Sequence, residues 1–274
     1  MSLSTAPVFH KLPLITHSMG ADFLRRQRLL TAYGFIMIAL MLPTVMLALI
    51  DERMIRGVSI WAKPLKFMAA TALFSISTAW FMELLPSSVR ASTTGRAVVW
   101  MLIITSLFEV VYISVQAALG AASHYNVADK FHAAMFGLMA GAAVLLVTTQ
   151  LMLAWLIFKH SPERPITAST WGVIVGLVLT FVLSTASGFM LGGNQPPAGA
   201  GLEIAGWHLS GGDVRPAHFL GVHGQQIIPL AGIILQRFLK SYALAALVVF
   251  SFAYVAAWMV LAKLGLNATH FTGA

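Results

Sequence analysis

Residues 97–119 read AVVWMLIITSLFEVVYISVQAAL, and this stretch decides the fold class. A helix over it is about 34 Å long, enough to cross the ~30 Å hydrocarbon layer of a bilayer. Glu109 is its only acidic or basic residue. No soluble surface helix is apolar on all sides in this way.

The rest of the chain repeats the pattern. Of 274 residues, 58% are hydrophobic and 9% charged, whereas soluble domains carry roughly a quarter charged residues. Further apolar runs lie at about 29–50, 65–85, 131–158, 169–191, 217–236 and 242–264. The fold class expected is therefore all-α, a polytopic membrane helix bundle with seven transmembrane helices, over residues 29–265. Soluble α/β and all-β folds are excluded. Residues 1–28 lack a continuous apolar run and a small-residue cleavage site, so they read as a cytoplasmic N-terminal tail and not as a cleavable signal peptide. Residues 266–274 form an external C-terminal tail.

Orientation follows from the basic residues. With the N terminus inside, Lys11, Arg25, Arg26, Arg28, Arg90, Arg96, Lys159, Arg164, Arg237 and Lys240 lie on the cytoplasmic side. Arg53, Arg56, Lys63, Lys66, Lys130, Arg215 and Lys263 lie opposite, the first external loop being the exception to the bias. The localisation expected is the bacterial inner membrane, with the C terminus external. The net charge of +8 answers to this topology and to anionic lipid, and no basic tract supports nucleic-acid binding. Cysteine is absent, which excludes disulfides, thiolate metal sites and cysteine nucleophiles.

The same orientation gathers imidazoles on the external side. His124, His132, His208, His218 and His223 fall in two connections or at the helix ends beside them, between spans three and four and between spans five and six. His270 lies on the same side, in the tail; His10, His17 and His160 are internal. Glu109, Tyr112 and Gln116 share one face of span three at 100° per residue, and such a face must look into the bundle. An ionisable group within a span is a functional candidate because its burial is costly without a partner. His218 and His223 are about 140° apart on a regular helix, so one ion takes both only if Gly221 and Gly224 distort it.

Three chemistries suit this inventory. Imidazole with carboxylate fits zinc, copper or iron; a pair such as His132 with His218 or His223 fits axial haem ligation; a Glu/Tyr/Gln/His pocket fits a quinone, lipid or small-molecule substrate whose protons are moved. HExxH, GxSxG and Walker signatures are missing. The connection 192–216 carries Trp207, His208, Asp213 and Arg215 among glycines and prolines, and is expected to fold as a lid oriented by Asp213 and Arg215. Gly137-x-x-x-Gly141 and Gly172-x-x-x-Gly176 predict close helix approaches. Trp61, Trp80, Trp100, Trp155, Trp171 and Trp258 read mostly as interface anchors, and the scattered methionines as packing. Span seven has no internal lysine, which excludes a retinal protein.

At Trp61-x-Lys63-Pro64-x-Lys66-Phe67, Ser123-His124-Tyr125-Asn126 and Gly211-Gly212-Asp213-x-Arg215-Pro216-Ala217-His218-Phe219-x-Gly221-x-His223, the chain resembles a family of uncharacterised bacterial seven-span inner-membrane proteins. The resemblance implies no activity. It implies only that the two histidine-bearing segments belong together.

The residues thus carry three expectations. The first is a metal- or haem-binding protein of redox type, a membrane-bound oxidoreductase. In it Glu109, His124, His132, His208, His218 and His223 are metal ligands, and His132, His218 and His223 lead as cofactor ligands. Glu109, Tyr112, Gln116, Asp213 and Arg215 are the catalytic set. The second is a proton-coupled transporter or channel for a small solute with Glu109 as coupling carboxylate. The third is a structural subunit of a membrane complex. A homo-oligomer is compatible with each.

Overall fold

The computed structural model of the chain describes residues 27–199, 201–202 and 206–267. The two terminal tails lie almost wholly outside these residues, and His10, His17 and His270 lie outside with them. The elements are α1 (Arg28–Ile50), a small antiparallel hairpin of β1 (Met54–Ile55) and β2 (Val58–Ser59), α2 (Ala62–Met82), the single turn α3 (Ser87–Arg90), α4 (Thr93–Ala118), α5 (Lys130–His160), α6 (Ala168–Gly193), α7 (Arg215–Leu239) and α8 (Ala243–Leu266). Each long helix coincides with one of the expected apolar runs to within four residues at either end.

Side-chain oxygens fix several helix starts by accepting otherwise unpaired first-turn N–H groups. Ser92 caps α4, Asp129 caps α5 and Thr167 caps α6. Pro216 opens α7, where its missing N–H is harmless.

Six helical stretches among the described residues are long and apolar enough to cross a membrane: Arg28–Ile50, Ala62–Met82, Thr93–Ala118, Lys130–His160, Ala168–Gly193 and Arg215–Leu266. The last contains both α7 and α8, joined by the 3-10 turn Lys240–Tyr242. At that turn Lys240 takes a φ of 45°, and α8 runs back along α7. Its end meets the beginning of α7, since a β-carbon on Gly265 would lie 2.6 Å from the Asp213 carbonyl oxygen.

The core has two main parts. Leu30, Met37, Met82, Leu102, Leu153, Ile157 and Leu177 are buried where α1, α2, α4, α5 and α6 meet, and Leu183, Ile228, Leu247 and Trp258 are buried among α6, α7 and α8. The closest pair is α6 with α7, because glycines let the backbones touch. A β-carbon at Gly176 would be 2.8 Å from Pro229 Cδ, one at Gly221 2.7 Å from Ser184 N, and one at Gly232 2.8 Å from the Ala168 carbonyl oxygen. Gly172 and Gly176 therefore make the close approach their spacing predicts. Gly137 and Gly141 do not, since nothing lies within 4 Å of a β-carbon at either: their face of α5 points away from the bundle.

Two further expectations are corrected. Trp61 and Trp258 are buried and are not interface anchors. Trp61 Nε1 donates to Asp51 at 2.9 Å, a bond that ties the end of α1 to the start of α2. The glycines of α7 serve packing, and the helix carrying His218 and His223 runs unbroken.

The hairpin and the two histidine-bearing connections meet on one face. Arg53 Nη1 donates to the Ala118 carbonyl at 3.1 Å, Arg56 Nη2 to the Pro196 carbonyl at 2.7 Å, and the Tyr125 hydroxyl to the Leu191 carbonyl at 2.5 Å. The two arginines that offend the charge bias thus staple loops together.

Candidate functional site

The long connection before α7 is organised by one ion pair. Asp213 is buried, and its carboxylate accepts from Arg215 Nε at 2.8 Å, Arg215 Nη2 at 2.7 Å, the Arg215 N–H at 2.9 Å and the His208 N–H at 2.8 Å. Burial pushes this carboxyl up, but the hydrogen bonds from Arg215 and the two backbone N–H groups outweigh it and hold the group below its usual range. Arg215 also donates to the Gly206 carbonyl at 2.6 Å. Trp207 then packs edge-on against Phe219 of α7, with centroids 5.1 Å apart. The segment 206–215 is therefore packed against the start of α7; Leu209, in contrast, is exposed.

Glu109, Tyr112 and Gln116 of α4 are all buried, at 7%, 8% and 4% exposure. Their shared face does look into the bundle. The Tyr112 hydroxyl and Gln116 Oε1 find no protein partner. Glu109 is electrostatically coupled to Lys63 at the start of α2, with no ion pair formed between them among the described residues. It also acts on Tyr33 of α1, whose hydroxyl lies 2.8 Å from Ser106 Oγ.

Lys63 is the residue that sequence reasoning missed. A lysine entering a span reads as one that snorkels to the headgroups. Here the ammonium is 5.9 Å from the Phe67 ring centroid and acts on Glu109, Arg215 and His124 together. The signal was the density of Trp61-x-Lys63-Pro64-x-Lys66-Phe67, where two cations sit one turn apart. Lys66 interacts with Arg215 and Asp213.

His124 lies between the Phe67 and Phe136 rings, at centroid distances of 6.1 and 5.9 Å. Burial first, and the Lys63 charge second, bring its imidazole down to about 3, so the ring is neutral at physiological pH. Its Nδ1 is 3.2 Å from Ser123 Oγ. His218 of α7 is within electrostatic reach of His124, and its Nδ1 is 3.1 Å from Ser187 Oγ of α6. His223 packs at a tilt against Phe219, with ring centroids 4.2 Å apart, and places Nδ1 3.1 Å from Gln226 Oε1; Gln226 Nε2 in turn donates to Ser77 Oγ of α2 at 3.1 Å.

Lys63, Glu109, His124, His218 and the Asp213–Arg215 pair thus form one connected electrostatic neighbourhood. Two expected members have other attachments. His132 pairs with Asp129 at the start of α5, Nδ1 to Oδ2 2.6 Å. His208 offers its backbone N–H to Asp213, while its Nε2 is buried without a protein partner. Among the described residues no group of three or more His, Asp or Glu is arranged to hold a metal ion. The donor set therefore does not fit a single ion bound by the full expected ligand set.

The arrangement is suited to holding and passing protons. The Glu109 carboxyl and the Lys63 amine, each able to hold or release a proton, lie within electrostatic reach of one another, whereas the neutral His124 imidazole is a weak acceptor. Comparison of the chain with family models, with curated proteins and with solved structures gave no match.

Proposed function

We propose that the chain is a seven-span protein of the bacterial inner membrane, N terminus cytoplasmic, and that it is a proton-coupled transporter of a small solute. The site lies at the external end of the bundle, beneath the connection that precedes α7. The observation that carries the reading is the buried Glu109 of α4, with the half-buried Lys63 of α2 within electrostatic reach of it. Two opposite charges in a low-dielectric bundle are stable together or neutral together, and one alone is costly. A proton or a solute charge that enters the couple therefore changes which arrangement of the helices is favoured, which is the requirement for coupling. Lys63, Lys66 and Arg215 around the same space favour a solute with negative charge.

The test is reconstitution in vesicles containing a pH-sensitive dye, with the membrane potential clamped and a panel of small organic anions added outside. At least one anion is expected to drive internal acidification, and Glu109→Gln to abolish it with the fold intact. If no anion moves protons faster than in protein-free vesicles, the reading is wrong.

A second reading, a haem- or metal-dependent redox protein, is favoured by one observation. His124 and His218 each have Nδ1 engaged by a serine hydroxyl, leaving Nε2 for another bond, and such an outer contact is how ligating imidazoles are oriented. It predicts a stoichiometric metal or a haem spectrum in the purified protein, lost in His124→Ala and His218→Ala.

A further inference from the structure

The α6–α7 seam carries polar groups beyond those of the external site. Gln225 of α7 is fully buried, and neither its amide oxygen nor its amide nitrogen has a protein partner. On the facing helix Thr180 is fully buried with an unpartnered hydroxyl. A β-carbon at Gly224, next to Gln225, would lie 3.1 Å from that hydroxyl oxygen, so the two unsatisfied groups border the same small region. Nearer the histidine-bearing face the seam continues through Ser184, whose hydroxyl donates to the Thr180 carbonyl, and Ser187, 3.1 Å from His218 Nδ1.

The spacing makes these groups a file. Thr180, Ser184 and Ser187 recur at helical intervals on α6, and His218 and Gln225 are two turns apart on one face of α7. Gln225 lies about 15 Å along α7 from its beginning, near mid-bundle. An amide with all its hydrogen-bonding capacity unused is poorly accommodated inside a membrane bundle, where every dry alternative side chain of the same volume packs better. Buried polar groups left without protein partners are where bound water is found in proteins.

We propose that water enters from the histidine-bearing face along the α6–α7 seam, past His218, Ser187, Ser184 and Thr180, and bonds to the Gln225 amide at mid-bundle. The path deepens the proton-coupled reading by giving protons a route from the external site into the bundle. It rests on that reading for its purpose but not for its test.

The chain has no cysteine, so single-cysteine variants report without background. In vesicles, silver ion applied from the histidine-bearing side reaches a thiol only through water; thiols left over are counted with a fluorescent maleimide after unfolding. Thr180→Cys is expected to be blocked at least tenfold faster than Leu177→Cys, a fully buried position on the same helix. Adding Gly224→Ala, which sets a methyl against position 180, is expected to slow blocking there and leave Ser184→Cys fast. Should Thr180→Cys not fold, Gln225→Cys takes its place. Equal rates at the polar positions and at position 177 overturn the path. Fast blocking together with unimpaired solute uptake in Glu109→Gln keeps the path and removes the coupling role. Slow blocking with uptake lost in Glu109→Gln does the reverse.

Discussion

The Tyr125 hydroxyl donates to the Leu191 carbonyl at 2.5 Å and so ties the connection after α4 to the last turn of α6. Tyr125 takes a φ of 56°, a conformation that favours glycine and that a tyrosine keeps only where its surroundings hold it. The bond holds the loop of His124 against the helix that carries Ser187, the partner of His218. Tyr125→Phe is expected to cost about 1 kcal/mol of stability, the usual worth of one such bond. The same substitution should increase protease cutting between residues 119 and 129. Scanning calorimetry in detergent and limited proteolysis check both.

Asp213 makes the segment 206–215 acid-sensitive. Its folded-state value is depressed, so the open form takes up the proton first, and the stabilisation is present above about pH 4 and lost as the pH falls through the lowered value. Asp213→Asn removes the ion pair at every pH. It is expected to weaken the packing of this segment by about 2 kcal/mol, roughly a 30-fold rise in amide exchange of the peptide 206–215. Wild-type exchange should approach that of the variant only in acid.

His124 acts at a higher pH. Its folded-state value of about 3 lies below the ordinary 6.5, so unfolding is accompanied by proton uptake at every pH between the two. The stabilisation is complete above about pH 6.5 and falls by up to about 1.4 kcal/mol per unit below it. His124→Phe keeps a ring between Phe67 and Phe136 and removes the titration. Between about pH 7.5 and about pH 5, wild-type protein is expected to lose about 2 kcal/mol more stability than the variant. Unfolding midpoints in detergent give the comparison.

The helices were legible because each apolar run is long enough to span and ends at charged or glycine-rich segments. The convergence of the two histidine-bearing connections was legible too, as alternation of spans puts both on one face. Which imidazoles meet was not. His132 and His218 both stand near helix starts, but Asp129 three positions before His132 captures its ring, while His218 turns to Ser187 across the seam. Helix rotation decides between such outcomes, and runs that are apolar all round leave rotation unspecified. The same ambiguity hid Lys63, whose ammonium turns inward. Arg53 and Arg56 looked like errors of topology because a charge count does not see the carbonyls they bind.

The two small-residue motifs now predict opposite responses to one added methyl. At Gly176 the methyl meets Pro229 Cδ at 2.8 Å and the Gly224 carbonyl oxygen at 2.9 Å. A proline ring and a helix backbone cannot swing aside, so α6 and α7 must separate, and Gly176→Ala is expected to cost about 2 kcal/mol. At Gly137 nothing lies within 4 Å, and alanine is a better helix former than glycine by about 1 kcal/mol. Gly137→Ala is therefore expected to leave the unfolding midpoint of the monomer unchanged or raised. Loss of stability at Gly137 equal to that at Gly176 would mean that a second helix covers this face of α5 in the membrane, and crosslinking between copies at position 137 would then show whether that helix belongs to another molecule of the same chain.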